Sequence, residues 1–166
     1  MIHAYTGDGK GKTCSAIGLG MIARAKGHNQ KVALIQLIKS SKSGEITFLQ
    51  DMGIEVYQFG NGFVREASNE DTESAQKGIE KARELILNLN YYMIILDEAL
   101  TACEAGILSE QNLLSLIQNA NGSELVLTGG TRLPESLEGH IDYHTELANK
   151  KHPYKQGVKA RPGIEY

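Results

Sequence analysis

The chain has 166 residues, 41% of them apolar, which suits one domain around one sizeable core and excludes a disordered chain. Its 17 basic and 20 acidic residues leave a net charge of −3, which argues against a protein living by electrostatic contact with nucleic acid. Cys14 and Cys103 supply neither a disulfide framework nor a zinc knuckle, no apolar run approaches the ~18 residues of a membrane helix, and MIHAYTGDG lacks the start of an export signal, so a cytoplasmic protein working on neither nucleic acid nor membrane is expected.

Strand-like runs alternate with helix-like segments, the pattern of a parallel α/β sheet flanked by helices. Ile2–Thr6 is the first predicted strand, followed by the glycine-rich stretch Gly7–Gly11 and a helix from about Lys12 to Lys26, closed by Gly27. Lys31–Ile38 reads as a buried second strand, residues 39–45 as a polar loop, and Ile54–Phe59 as a short third strand broken by Gly60, Asn61 and Gly62. Between Asn69 and Asn88 a helix presents Ala75, Ile79, Ala82, Leu85 and Ile86 on one face. Tyr91–Leu96 is the most apolar run and so a central strand; a helix at about Ser109–Gln118 leads to a strand at Leu125–Thr128. From Lys150 the composition changes: Lys150, Lys151, Lys155, Lys159 and Arg161 stand against Glu165, with Pro153 and Pro162 between them. One domain over residues 1–166 is expected, with an irregular basic tail from about residue 150 that is either a solvated end or a flap closing on an anionic site.

The most informative stretch is Thr6–Thr13, TGDGKGKT, placed between a strand and a helix as a phosphate-binding loop must be. Glycines let consecutive N–H groups turn around an anion, and the helix start adds its positive dipole end. Lys12 supplies a mobile charge, and the Thr13 hydroxyl suits Mg²⁺. The loop is one residue shorter than the usual pattern, with three residues between Gly7 and Gly11 and Thr6 where a glycine would stand. Downstream, Met93–Glu98 (MIILDE) is an apolar strand ending in two carboxylates, where nucleotide-binding α/β domains place magnesium ligands. Ligands bind at the carboxyl ends of parallel strands, so Asp97 and Glu98 are expected to face Lys12 and Thr13.

Other residues read as structure. His140 and His144 would share a helix face, but Gly139 and a strand-like Ile141–His144 weaken the helix and no third soft ligand is near. Cys14 is expected as a small buried side chain behind the loop, and Glu66, Glu70, Asp71 and Glu73 as a solvated helix start.

Taken together these motifs resemble the P-loop type of ATP:corrinoid (cob(I)alamin or cob(I)yrinic acid a,c-diamide) adenosyltransferase. The resemblance is carried by GDGKGKT, RAKGH at Arg24–His28, LIQLIK at Leu34–Lys39, GE at Gly44–Glu45, FGNGF at Phe59–Phe63, LDE at Leu96–Glu98, LTG at Leu127–Gly129 and KHPYKQGVKARPGIEY at Lys151–Tyr166. It implies a P-loop NTPase (RecA-like) architecture and a reaction in which Co(I) of the corrinoid attacks the 5′ carbon of ATP and triphosphate leaves. It further implies that Gly7, Asp8, Gly9, Lys10, Gly11, Lys12 and Thr13 hold the polyphosphate, with Lys12 and Glu98 the catalytic candidates. Thr13, Asp97 and Glu98 would hold Mg²⁺ or Mn²⁺, and Phe63 would sit at the lower face of the corrinoid. An electron donor such as a flavoprotein and a homodimer are implied too. The chain departs from the family pattern at Arg65, where an aromatic is usual, and at Gly130, where LTGR is usual and Arg132 follows two residues later. The residues by themselves leave two other functions open: a non-catalytic module binding ATP and corrinoid, and a kinase or ATPase acting at the γ-phosphate.

Overall fold

The computed structural model describes residues 1–24, 30–39, 44–60, 62, 67–120, 122–161 and 164. In chain order the elements are β1 (Ile2–Thr6), α1 (Lys12–Arg24), β2 (Val32–Gln36), α2 (Gly44–Asp51), β3 (Glu55–Gln58), α3 (Asn69–Leu87), β4 (Met93–Asp97), α4 (Ala99–Glu104), α5 (Glu110–Asn119), β5 (Glu124–Thr128), α6 (Glu135–Glu138) and β6 (Tyr143–Glu146), with a 3₁₀ turn at Pro153–Gln156. The six strands form one sheet in the order β3-β2-β4-β5-β1-β6, and every neighbouring pair is parallel.

Parallel neighbours need crossover connections, and these place helices on both faces. One core layer gathers Ala16 of α1 and Ile46 and Leu49 of α2 over Leu34, Ile95 and Val126. The other gathers Ala75, Ile79, Ala82, Leu85 and Ile86 of α3 with Leu100, Leu113 and Leu116 over Ile35, Ile94, Leu96 and Leu127. Strands β2 and β4 are buried at every position, which is why their sequences are continuous apolar runs without alternation. Helix α3 starts with a capping box, in which Ser68 accepts from the Asp71 N–H and Asp71 accepts from the Ser68 N–H.

All the predicted strands are present, with ends shifted by one or two residues. Helices α2 and α4 were not legible: with 8 and 6 residues they are too short to show a period. The expected closure of the first helix at Gly27 lies outside the described residues, and α1 is seen to Arg24, whose guanidinium donates to the carbonyls of Gln30 and Met52. Cys14 is exposed, contrary to expectation. The buried stripe of α1 is Ala16 and Gly20, one turn apart, and a residue two positions before Ala16 points to the opposite side. His144 lies in β6, bonded through Nε2 to the Thr6 hydroxyl at 2.8 Å, so His140 and His144 do not share a helix face.

The amino ends of β2, β3 and β4 are tied by one carboxylate. Glu55 accepts from the hydroxyls of Tyr57 (2.6 Å) and Tyr91 (2.7 Å) and pairs with Lys31 at 3.1 Å. Burial works against its charge, but the two phenols and the ammonium outweigh it and hold the Glu55 carboxyl down at about 2, against an ordinary 4.5. A depressed folded value stabilises fully above the unfolded value and is lost as pH falls through the folded one. The stability that wild type has over Glu55→Gln is therefore expected to be constant above pH 5 and to vanish between about pH 4.5 and 2. Because Glu55 is 38% exposed, the difference should be no more than about 1 kcal/mol. Urea unfolding at a series of pH values measures it, and a difference that persists at pH 2 would show that Glu55 acts through packing.

Candidate active site

The Thr6–Thr13 loop joins the carboxyl end of β1 to the amino end of α1. At Gly7 the backbone has φ 104°, and a Cβ there would lie 2.3 Å from the carbonyl oxygen of Leu147, so only glycine fits. The N–H groups of Gly7 and Gly9 donate to the carbonyls of Gly130 (3.1 Å) and Leu147 (2.7 Å). Two of the loop's donors are thus turned to the fold, and the anion-facing arc is narrower than the glycine pattern suggests. The Lys12 ammonium lies within the arc, donating to the carbonyls of Gly7 (2.6 Å) and Gly9 (3.1 Å). Asp8 accepts from the Asn149 N–H at 2.8 Å, and Lys10 donates to the carbonyl of Ile164 at 2.7 Å. The chain after β6 therefore lies against the loop.

Strand β5 separates β1 from β4, yet Thr13 reaches across to the acidic strand end and donates to Asp97 Oδ1 at 2.7 Å. Asp97 is wholly buried. Its Oδ1 also accepts from the Thr128 hydroxyl (2.8 Å), and its Oδ2 accepts from Gln36 (3.2 Å) and Lys39 (3.2 Å). A carboxylate offers about four lone-pair directions, so Asp97 is saturated. Thr13, having spent its one proton on Asp97, keeps its lone pairs for another partner. Glu98 is held differently. It sits in the left-handed region at φ 62°, ψ 21°, rare for a residue with a side chain and typical of functional turns. Its Oε2 accepts from the Thr101 hydroxyl.

Gln36, Lys39, Thr101 and Thr128 join the site without having been singled out from the sequence. Gln36 was visible as a polar residue interrupting the apolar run KVALIQLI, and Thr128 as one closing LVLT, positions where polarity needs a buried partner. Lys39 was placed in a polar loop. Burial penalises its charge, but Asp97, Glu98 and Glu45 outweigh this and raise its pKa. The segment that leads to Phe63 leaves the sheet at this same end, since the Gly62 N–H donates to the Ile38 carbonyl at 3.0 Å. Phe63 and Arg65 themselves lie outside the described residues.

A cavity of about 870 Å³ opens beside β1 and β6 and reaches the loop region through Thr6. It is lined by Glu104, Glu110, Glu135, Glu138 and Glu146 against Arg132, the wrong sign for a polyphosphate. Cys103 on its wall is pushed up to about 12, by burial first and by Glu110 second, and is no nucleophile at neutral pH. The loop cleft at the carboxyl ends of β1 and β4 is the better candidate on charge.

Oxygen donors from Thr13 and Glu98 at this cleft suit a hard divalent cation. Among the described residues no three His, Cys, Asp or Glu side chains gather to form a cage by themselves. Among the described residues no helix is long and apolar enough to cross a membrane.

A KaiC-like protein from Pyrococcus horikoshii shares the fold, with a TM-score of 0.56 at 15% identity over 91% of this chain and 73% of its own. The corrinoid adenosyltransferase of Pseudomonas aeruginosa is 34% identical, covering 100% of this chain and 83% of the relative. Those of Salmonella typhimurium and Escherichia coli are 30% and 29% identical, each covering 100% of this chain and 85% of the relative. The family model described as ATP:corrinoid adenosyltransferase BtuR/CobO/CobP matches residues 1–166. With a short phosphate loop, an acidic strand end that meets it and this match from end to end, the chain belongs to the ATP:corrinoid adenosyltransferase family.

Proposed function

We propose that this protein transfers the 5′-deoxyadenosyl group of ATP to Co(I) of a corrinoid. The observation that carries it is the contact of Thr13 with Asp97, which sets the polyphosphate loop against the acidic strand end within a chain matched throughout by the family. In this reaction a cobalt–carbon bond forms, the C5′–O bond breaks, and its electron pair leaves with triphosphate. Co(I) needs no general base, so the protein's task is to stabilise charge on the leaving group. Lys12, the α1 amino terminus and the anion-facing N–H groups of the loop do this, with Lys10 and Asp8 shaping its rim. Mg²⁺ or Mn²⁺, when bound, neutralises phosphate charge. Thr13 and Glu98 would hold it, and Asp97 would act through Thr13 because its own lone pairs are taken. The tail from about residue 150 closes on the loop, a role supported by the Lys10–Ile164 bond. A reductant of the flavoprotein type and a second copy of the chain complete the proposed partners.

Mixing the protein with ATP, Mg²⁺ and a chemically reduced corrinoid should yield a light-sensitive cobalt–carbon product and free triphosphate. ADP in place of triphosphate would assign the site to γ-phosphate chemistry. Bound substrates without a single turnover would make the protein a binding module.

On the corrinoid side the family resemblance would put Phe63 at the lower face, and Arg65 occupies the position where the family usually has an aromatic. A guanidinium cannot replace an aromatic wall there without a costly desolvation, so exclusion of the lower axial ligand should be weak. With a physiological reductant, Arg65→Trp is expected to speed adenosylation from Co(II) cobalamin and to leave cobinamide nearly unchanged. Equal acceleration of both, or of neither, would remove Arg65 from the lower face.

A further inference from the structure

Thr101 lies in the first turn of the short helix α4 and links Glu98 to the turn that holds the phosphate loop. Its hydroxyl donates to Glu98 Oε2 and accepts from the Gly130 N–H at 2.9 Å. The carbonyl of Gly130 in turn accepts from the Gly7 N–H at 3.1 Å. An unbroken hydrogen-bonded path thus runs from the Glu98 carboxylate through Thr101 and Gly130 to the first glycine of the phosphate loop. The packing is built for this close approach. A Cβ on Gly129 would lie 2.5 Å from Thr101 Oγ1 and 2.8 Å from the Thr101 N atom, so a side chain at that position would push the two apart. The Gly129 N–H is fixed by the Tyr5 carbonyl at 3.1 Å, which holds the turn to β1.

The physical consequence is specific. Glu98 projects from a strained left-handed residue, and its side chain has three torsions of its own. Fixing one oxygen orients the carboxylate and leaves the other to turn to a cation, which removes rotamer entropy that binding would otherwise have to supply. We infer that Thr101 is a positioning residue that aims Glu98 at the cation of the ATP complex and ties that aim to the shape of the phosphate loop. This rests on the proposed role of Glu98, and the test separates the two.

Thr101→Val keeps the shape and removes the hydroxyl, whereas Thr101→Ser keeps the hydroxyl and removes the methyl. Calorimetry of ATP binding without corrinoid, at a series of Mg²⁺ concentrations, reads the Mg²⁺ level that half-restores ATP affinity with no turnover involved. For Thr101→Val this level should rise about tenfold, the usual cost of losing a group that orients a ligand. In the full reaction kcat should fall while the KM for corrinoid stays put, and Thr101→Ser should return both measurements close to wild type. In a Glu98→Gln background Thr101→Val should add little, because its target is already gone. An unshifted Mg²⁺ titration in Thr101→Val, equal losses in the serine and valine variants, or full additivity with Glu98→Gln would each overturn the inference. If Glu98→Gln shifts the Mg²⁺ titration and Thr101→Val does not, Thr101 falls and Glu98 stands. If Thr101→Val shifts it and Glu98→Gln does not, the proposed role of Glu98 falls and the inference with it.

Discussion

Lys12→Ala is expected to cut kcat on the order of 10²- to 10³-fold, about 3–4 kcal/mol, while the protein stays folded. The ammonium of Lys12 lies in the arc of the phosphate loop, donating to two of its carbonyls, so it stands where leaving-group oxygens would take over those bonds. A charge that meets negative charge as it develops acts more strongly on the transition state than on bound ATP, so kcat should suffer more than ATP affinity. Stability should change little, because Lys12 opens α1 and alanine is the best helix former. Single-turnover kinetics with pre-reduced corrinoid measures the chemical step, with a denaturation curve alongside. Wild-type turnover in a folded Lys12→Ala protein would remove the loop from the chemistry.

Asp97→Asn is expected to do the opposite and damage the fold first. Asp97 is fully buried and takes four donors, one of them the Lys39 ammonium. An amide there keeps one oxygen for the two threonines, but turns an NH₂ toward Gln36 and Lys39, which are donors themselves. Leaving those buried donors unsatisfied costs about 1–3 kcal/mol, and the Lys39 ammonium, 37% exposed and still attracted by Glu98 and Glu45, adds less than a fully buried charge would. Thr13 and the loop should loosen with it, so ATP affinity should fall as well. Glu98→Gln, whose partly exposed side chain has Thr101 as its partner, should unfold at nearly the wild-type urea concentration. The contrast between two adjacent acids is the measurement that matters. Equal stability of both variants would mean that Asp97 is not the keystone its bonds suggest.

Much of this was written in local order along the chain. The alternation of apolar runs with periodic segments fixes a parallel α/β sheet, because strands buried on both faces must be apolar throughout and their crossovers must be amphipathic. TGDGKGKT and MIILDE were legible as loop and acidic strand end, since each combines a local geometry with the residue types its chemistry needs. The family resemblance rests on the same residues and extended to the whole chain.

What only the tertiary structure decided is how the pieces divide the work. Asp97 and Glu98 are neighbours in sequence and were both expected as metal ligands. The β4 strand turns one inward onto Thr13, Thr128, Gln36 and Lys39, and a left-handed backbone turns the other out onto Thr101. Gly7 and Gly9 looked like phosphate ligands, but their N–H groups are held by Gly130 and Leu147, residues more than a hundred positions away. Cys14 was expected as a small buried side chain behind the loop, and the helical phase set by Ala16 and Gly20 places it outside. For Asp97 and for Gly7 and Gly9 the deciding quantity is a contact between segments distant in sequence. Residue type limits which bonds a group can form, and the fold alone brings it the partner that uses them.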